Sequence, residues 1–440
     1  LTGALLSRNP NGKNPFRLSR SQAVTCDQDH DYTDEQIAFN FGWMDKFLLH
    51  NRGTCNRAIA DHRDDLVLGY YDGNTVTALW NYAQHFAMSD NFYGTTFGPS
   101  TPGAINLISG DTSGADPANL IGGSAGEQEV YSIEGSVIAD PDPKYDECSS
   151  MKDANGKGQP TLRMTDGRRN VADLLNEKGV TWGWFQGGFG GEDPCNQGHI
   201  SNYSGMWTRD YVPHHEPFQY YERTSNPRHL PPKLPIGFSD QAKHQYDLRE
   251  FEGILDLKGS AASLPSVSFL KAPAYQDGHA GYSNPLDEQE FLIQTINKIQ
   301  RSRFWSTTAV IVTYDDSDGW YDHQMGRIVK SSQTERDALN GQGECGDSGR
   351  GDQAPGRCGY GPRLPLLVVS PYAKRNFVDH SLSDQTSILK FIEDNWRLGQ
   401  IGNLSYDAVA GSILNMFDFS RAHCSKLILD PRTGEPDRQK

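Results

Sequence analysis

Several absences narrow the field before any motif is considered. The 440-residue chain has no apolar run near the roughly 18–20 residues of a membrane span. Basic residues are in deficit: 41 Lys+Arg against 56 Asp+Glu leave a formal net charge of −15. No basic patch is evident, which argues against a protein built to coat nucleic acid or anionic lipid. The seven cysteines form no C-x-x-C pair, so zinc-ribbon and thioredoxin readings are weak. No internal repeat is visible. What remains is a chain that is 36% hydrophobic, too apolar for disorder and long enough for one large α/β domain or two ordinary ones. Its 45 glycines and 24 prolines predict a surface rich in loops.

The stretch 1–6 is too short for a signal peptide, so the numbering is expected to begin inside a longer precursor. Cys345 and Cys358 flank a Gly-rich stretch. A disulfide there would close a short loop and stabilise by about 3 kcal/mol in the chain-entropy model. Free thiols are the alternative. At least one disulfide is expected, and with it an oxidising compartment, secreted or periplasmic. The odd count leaves one thiol free or paired outside the chain.

Helical periodicity recurs along the chain. Ile37, Phe41, Met44 and Leu48 follow a Thr33-Asp34 cap, and Val76, Leu79, Trp80, Ala83 and Ala87 follow Asn74. Asn170 precedes Val171, Leu174 and Leu175, and Gly179 closes that helix. Further helices are predicted from near Asp287 and after Ser383. Strands are expected at 180–185, 308–314 and 364–370; the last two are near-continuous apolar runs, the mark of parallel strands covered on both faces. The alternation predicts an α/β fold with an open, mostly parallel sheet, helices on both faces and loop insertions at about 140–160, 213–238 and 340–362. Arg350-Gly351-Asp352 in the last of these is taken as coincidence rather than an adhesion signal.

Three elements can carry chemistry. The first is Tyr314-Asp315-Asp316-Ser317-Asp318-Gly319-Trp320-Tyr321-Asp322-His323, at the end of an apolar strand. Ligand sites of open α/β sheets lie beyond the carboxyl ends of strands. Adjacent carboxylates repel unless a cation compensates them, and a divalent metal does so; a solvated acidic turn is the plainer alternative. An EF-hand alignment fails, because it places Tyr314 at position 1 and Met325 at position 12. The second element is Phe97-Gly98-Pro99-Ser100-Thr101-Pro102-Gly103. Pro102 fits the first position of a helix, with Thr101 or Ser100 as its cap. A hydroxyl there sits where free N–H groups favour a phosphoryl anion, and Ser100 could be a nucleophile, although an ordinary cap would look the same. Prolines flank it, so it is not a G-x-S-x-G elbow. The third element is histidine: His30 between two aspartates, the His214-His215 pair, and His279 in Asp277-Gly278-His279. Each alone is commonly a surface or capping residue. Together they suit phosphate contact and leaving-group protonation.

The motifs FGPSTPG, PHHEPFQYY, DGHAGYSNP and TYDDSDGWYDH, in this order, resemble the bacterial phospholipase C / acid phosphatase family of phosphoesterases, from about His30 to Trp396. The resemblance implies an alkaline-phosphatase-like α/β fold in a single catalytic domain and one divalent metal ion (Ca, Mg, Mn or Zn). It implies Ser100 as nucleophile and metal ligand, and Asp315 and Asp316 as metal ligands. His30, His214, His215 and His279 are implied as phosphate-contacting and proton-donating residues, with His279 or His215 protonating the leaving oxygen. Asp318, Asp322 and His323 are implied to support that shell. The family pattern also carries an N-terminal strand ending in a Glu-Asn pair of metal ligands. No Glu-Asn dipeptide occurs in this sequence, so a central strand and half the metal shell are expected to be lacking, leaving a gap in the sheet.

The expected activity is phospholipase C on phosphatidylcholine-like lipids, through a phosphoserine and with transient membrane-surface contact. A broad acid phosphatase and a non-catalytic metal- or lipid-binding module are the alternatives. Trp207, Phe218, Tyr220 and Tyr221 could stack on a choline cation or pack beneath a lid.

Overall fold

The computed structural model describes residues 3–53, 63–124, 127–149, 159–256, 263–347, 354–423 and 426–437. Cys55, Cys424, the 350–352 tripeptide and part of the 140–160 insertion lie outside them. In chain order the elements that matter here are α1 (Tyr32–Phe39), α2 (Thr77–His85), β1 (Ala87–Ser89), α3 (Ser100–Ser109), α4 (Val171–Glu177), β2 (Trp182–Gln186) and β3 (Gln245–Asp247). They continue with α5 (Leu248–Asp256), β4 (Val267–Lys271), α6 (Pro285–Arg301), β5 (Val310–Thr313), β6 (Leu366–Val369), β7 (Phe377–Asp379) and α7 (Gln385–Trp396).

The expected helices form where side chains can satisfy their first N–H groups. Asn170 accepts from Ala172 N–H at the head of α4, Asn284 from Leu286 and Asp287 at α6, and Asp384 from Thr386 at α7. One expectation fails. The periodic run 37–48 is not one helix: it breaks after Phe39 and resumes as a single turn at Phe47–His50. Asn40 and Phe41 take left-handed φ values of 42° and 57°, and the Phe41 N–H donates to the Leu339 carbonyl at 3.1 Å instead of continuing the helix. A tertiary hydrogen bond outweighs local periodicity.

The fold is α/β, with the strands in separate small sheets among the described residues. One is parallel, in the order β3-β2-β4. The largest runs β5-β6-β1-β7, with β6 antiparallel to both β5 and β1 and only β7 parallel to β1. The apolar runs of β5 and β6 are therefore antiparallel neighbours, not the parallel pair their composition suggested. β6 is buried along its length while β5 is only half-buried, so an apolar run fixes neither the cover nor the direction of a strand.

Among the described residues, β4 pairs only with β2 and β5 only with β6. An apolar cavity of about 700 Å³ lies between these two edges, lined by both strands and by α3, α6 and α7. The buried hydroxyls of Ser268 and Thr313, one on each edge, lack a hydrogen-bond partner. The carboxyl ends of β4 and β5 still meet, because Lys271 Nζ at the end of β4 lies 2.7 Å from Asp315, two residues beyond β5.

Among the described residues, the disulfides Cys148–Cys195 and Cys345–Cys358 fix the loops around this frame, the second being the expected one. Cys345 and Cys358 pack with Phe39, Phe47 and Phe97 in a cluster behind α1.

A buried acid pair gives a pH prediction. Glu393 of α7 is 4% exposed, and burial together with the neighbouring Asp407 carboxylate pushes it up to about 9. The folded chain therefore keeps a proton that the unfolded chain sheds near the ordinary 4.5. A raised carboxyl makes stability fall as pH climbs from about 4.5 to about 9 and level off beyond. Glu393→Gln removes this penalty. Its urea midpoint is expected to match the parent near pH 4.5 and to exceed it increasingly up to pH 9, on the order of a few kcal/mol at the end. A gap that does not change with pH would contradict the shared proton.

Candidate active site

The site forms where the head of α3 meets the segment after β5. The helix begins at Ser100, with Pro99 as its cap, so Pro102 is its third residue rather than its first. Ser100 is 3% exposed and its hydroxyl is not spent on capping. It donates instead to Asp316 Oδ2 at 2.8 Å. The Thr101 N–H, one of the free donors of that terminus, is taken by Asp140 Oδ1 at 2.8 Å.

Asp315 lies directly on α3. A Cβ on Gly103 would stand 1.9 Å from the Asp315 carbonyl oxygen, so this approach requires glycine. Gln385 Nε2, at the start of α7, donates to the same carbonyl at 2.5 Å. The Asp315 carboxylate accepts from Lys271 Nζ. Burial alone would raise Asp315, but the Lys271 ammonium more than offsets it and holds the carboxyl below its ordinary value. Asp316 stands above its ordinary range through burial, despite the opposing pull of His30.

Glu35 ties the two motifs together. Its Oε2 accepts from Gly98 N–H at 3.0 Å and its Oε1 from the Ser317 hydroxyl at 2.6 Å, and burial pushes it up to about 8. The sequence reading missed Glu35 and Lys271. A lysine closing an apolar strand was the available signal for Lys271. For Glu35, inside an ordinary helical stretch, there was none.

All four expected histidines come to this region. His214 and His215 stand edge to face with ring centroids 4.6 Å apart, in the turn beside α3, where Thr101 Oγ1 donates to the His214 carbonyl at 3.4 Å. Against the lowering effect of burial, Asp140 and Asp142 raise His214 above its ordinary value. His215 is driven well below its ordinary value by burial and by the nearby Lys271, and is neutral. His30 and His279 lie across the site with centroids 5.7 Å apart, facing Asp27 and Asp318. Asp318 comes closer than a supporting role implies, with Oδ1 3.7 Å from His279 Nε2. Asp322 and His323 turn away: Asp322 accepts from Arg363 at 2.7 and 2.8 Å and pairs with His323 at 3.0 Å. Phe218, Tyr220 and Tyr221 are fully buried and pack in the core, so they present no face to a choline cation. Trp207 is 57% exposed.

This convergence of motifs agrees with comparison to known proteins. The model of the Phosphoesterase family matches residues 3–399. The chain belongs to the phosphoesterase family. It is 24% identical over 434 residues to the non-hemolytic phospholipase C of Pseudomonas aeruginosa, covering 96% of this chain and 52% of that protein. Against phospholipase C A of Mycobacterium tuberculosis the identity is 22% over 423 residues, covering 92% of this chain and 67% of that one. The phosphoesterase chain thus spans about half the length of the first relative. Among solved structures, it is similar to murine ectonucleotide pyrophosphatase/phosphodiesterase 5, with 10% identity, TM-score 0.38 and coverage of 78% and 95% of the two chains. It is similar also to an alkaline phosphatase superfamily protein of Vibrio parahaemolyticus, with 12% identity, TM-score 0.30 and coverage of 90% and 74%.

The family resemblance implies a divalent cation. Ser100 Oγ and the Asp316 carboxylate meet at 2.8 Å as oxygen donors of the kind a hard cation takes, while the neighbouring Asp315 carboxylate is engaged by Lys271 Nζ at 2.7 Å. No helix among the described residues is long and apolar enough to cross a membrane.

Proposed function

We propose that this phosphoesterase hydrolyses phosphate esters through Ser100, in the manner of a phospholipase C that releases phosphocholine-type head groups, within one catalytic unit. The observation that carries the reading is the Ser100–Asp316 hydrogen bond of 2.8 Å beside the Asp315–Lys271 ion pair, at the head of a helix. A nucleophile, a base and fixed positive charge stand together.

Ser100 Oγ attacks phosphorus and passes its proton to Asp316, the carboxylate that already accepts its hydrogen bond at 2.8 Å. The Oγ–P bond forms as the ester O–P bond breaks. Lys271 and the remaining N–H groups of α3 hold the negative charge that develops. His214, raised by Asp140 and Asp142, is a better donor to the leaving oxygen than His215, which burial and Lys271 hold low. Water then releases phosphate ester or phosphate from Ser100. A divalent cation, held by Ser100, Asp315 and Asp316, would supply Lewis-acid polarisation of the phosphoryl oxygens. The disulfides Cys148–Cys195 and Cys345–Cys358 support an oxidising, secreted or periplasmic setting.

The deciding experiment compares p-nitrophenyl phosphate with p-nitrophenylphosphorylcholine. Preferential turnover of the diester is expected. Preference for the monoester would assign a phosphatase, and turnover of neither would reject hydrolysis and favour a binding module.

A further inference from the structure

Beside the expected oxygen-donor set lies a second, chemically different group. Asp27, His30, His279 and Asp318 each offer one ligand atom, and the four atoms lie within 4.8 Å of one another. Two further observations point to a ligand. Asp27 Oδ1 and Asp318 Oδ1 are buried without a hydrogen-bond partner, each with only a histidine nitrogen nearby, at 3.8 and 3.7 Å, too far for a hydrogen bond. The two imidazoles are oriented by the backbone. His30 Nδ1 lies 2.7 Å from the Gln28 carbonyl and His279 Nδ1 lies 2.5 Å from the Ala280 carbonyl. A carbonyl only accepts, so each Nδ1 donates to the backbone and Nε2 is the ring nitrogen left for another partner. A ring N–H fixed on a backbone carbonyl is how metal-ligating histidines are oriented.

We infer that Asp27, His30, His279 and Asp318 hold a zinc-class divalent cation, in addition to any ion held by Ser100, Asp315 and Asp316. Two imidazoles and two carboxylates form a four-ligand nitrogen–oxygen set that suits Zn²⁺ and related ions better than Ca²⁺ or Mg²⁺. The inference deepens the hydrolase reading. His30 and His279, expected to touch phosphoryl oxygens directly, would act on them through this cation. It also places positive charge next to Asp316, which faces His30.

The test uses the full chain, dialysed against Zn²⁺ alone and analysed for bound metal, with zinc X-ray absorption as a second readout. The parent is expected to bind zinc with two imidazole nitrogens in its shell, a signature the Ser100/Asp315/Asp316 group cannot give because it contains no histidine. Asp27→Asn and His279→Gln are each expected to lose that one equivalent, or to bind it 10–100-fold more weakly. Asp315→Asn is expected to keep the imidazole-bound ion. Circular dichroism screens each variant for folding, and the parent's imidazole signature stands even if a variant fails to fold. Zinc in the parent without imidazole scattering, no zinc at all, or unchanged stoichiometry in folded Asp27→Asn and His279→Gln proteins would overturn the assignment. Failure of the hydrolase reading is separate: imidazole-bound zinc with no turnover of either p-nitrophenyl ester would leave the metal site standing and reject the activity.

Discussion

Replacing Ser100 by alanine is expected to lower kcat for p-nitrophenylphosphorylcholine by about 10⁴-fold or more, the scale at which a covalent nucleophile is removed. The fold should survive. Ser100 is buried, but its hydroxyl makes one hydrogen bond, to Asp316, and that acceptor sits in a site rich in other donors. Losing one such bond costs about 1 kcal/mol, small against the stability of a chain this size. The variant should therefore show nearly unchanged circular dichroism and thermal midpoint alongside lost turnover. Mass spectrometry of the parent quenched during turnover should find a phosphoryl adduct on Ser100, and the variant should show none. Full activity in the variant would move the nucleophile elsewhere and dismantle the proposed chemistry.

What could be read from the sequence was local and chemical. Ser100 at a helix head, the Asp315-Asp316 pair closing a strand and the four histidines could be named because their residue types are rare in such settings. The structure brings all of them to one region. The helices of 170–179 and 285–301 were legible because their caps and their periodicity agree. The break at Asn40–Phe41 was not, since it depends on a carbonyl at Leu339, some 300 positions away. The sense of β5 and β6 was hidden for a related reason: an apolar run does not record which neighbour a strand pairs with. Lys271 and Asp27 escaped because each matters only through a partner that the fold supplies. Asp27 in particular looked like one more acid in a polar stretch, until the structure set it against His30 and His279.

The second large effect is expected at a residue with no side chain. Gly103 lies within α3, where alanine would ordinarily favour the helix by about 1 kcal/mol. Here the added Cβ would sit 1.9 Å from the Asp315 carbonyl oxygen, 2.7 Å from its carbon and 3.0 Å from Gln385 Nε2. Two of these three atoms are backbone and cannot rotate aside. Relief requires α3 to move away from the strand end that carries Asp315 and Asp316. Overpacking of this kind costs about 3 kcal/mol, which exceeds the propensity gain, so the net sign is destabilising. The same movement separates Ser100 from Asp316, and a displacement of about 1 Å at reacting groups costs on the order of 10²-fold in rate. Gly103→Ala should thus lower both the urea midpoint and kcat. Gly253→Ala is the matched control: it lies in α5 with open space around the added Cβ, and should leave kcat unchanged while raising stability by up to about 1 kcal/mol. If Gly103→Ala instead behaved like Gly253→Ala, the close seating of α3 on Asp315 would be wrong, and the joint grip of Ser100 and the aspartate pair on one phosphorus would fail with it.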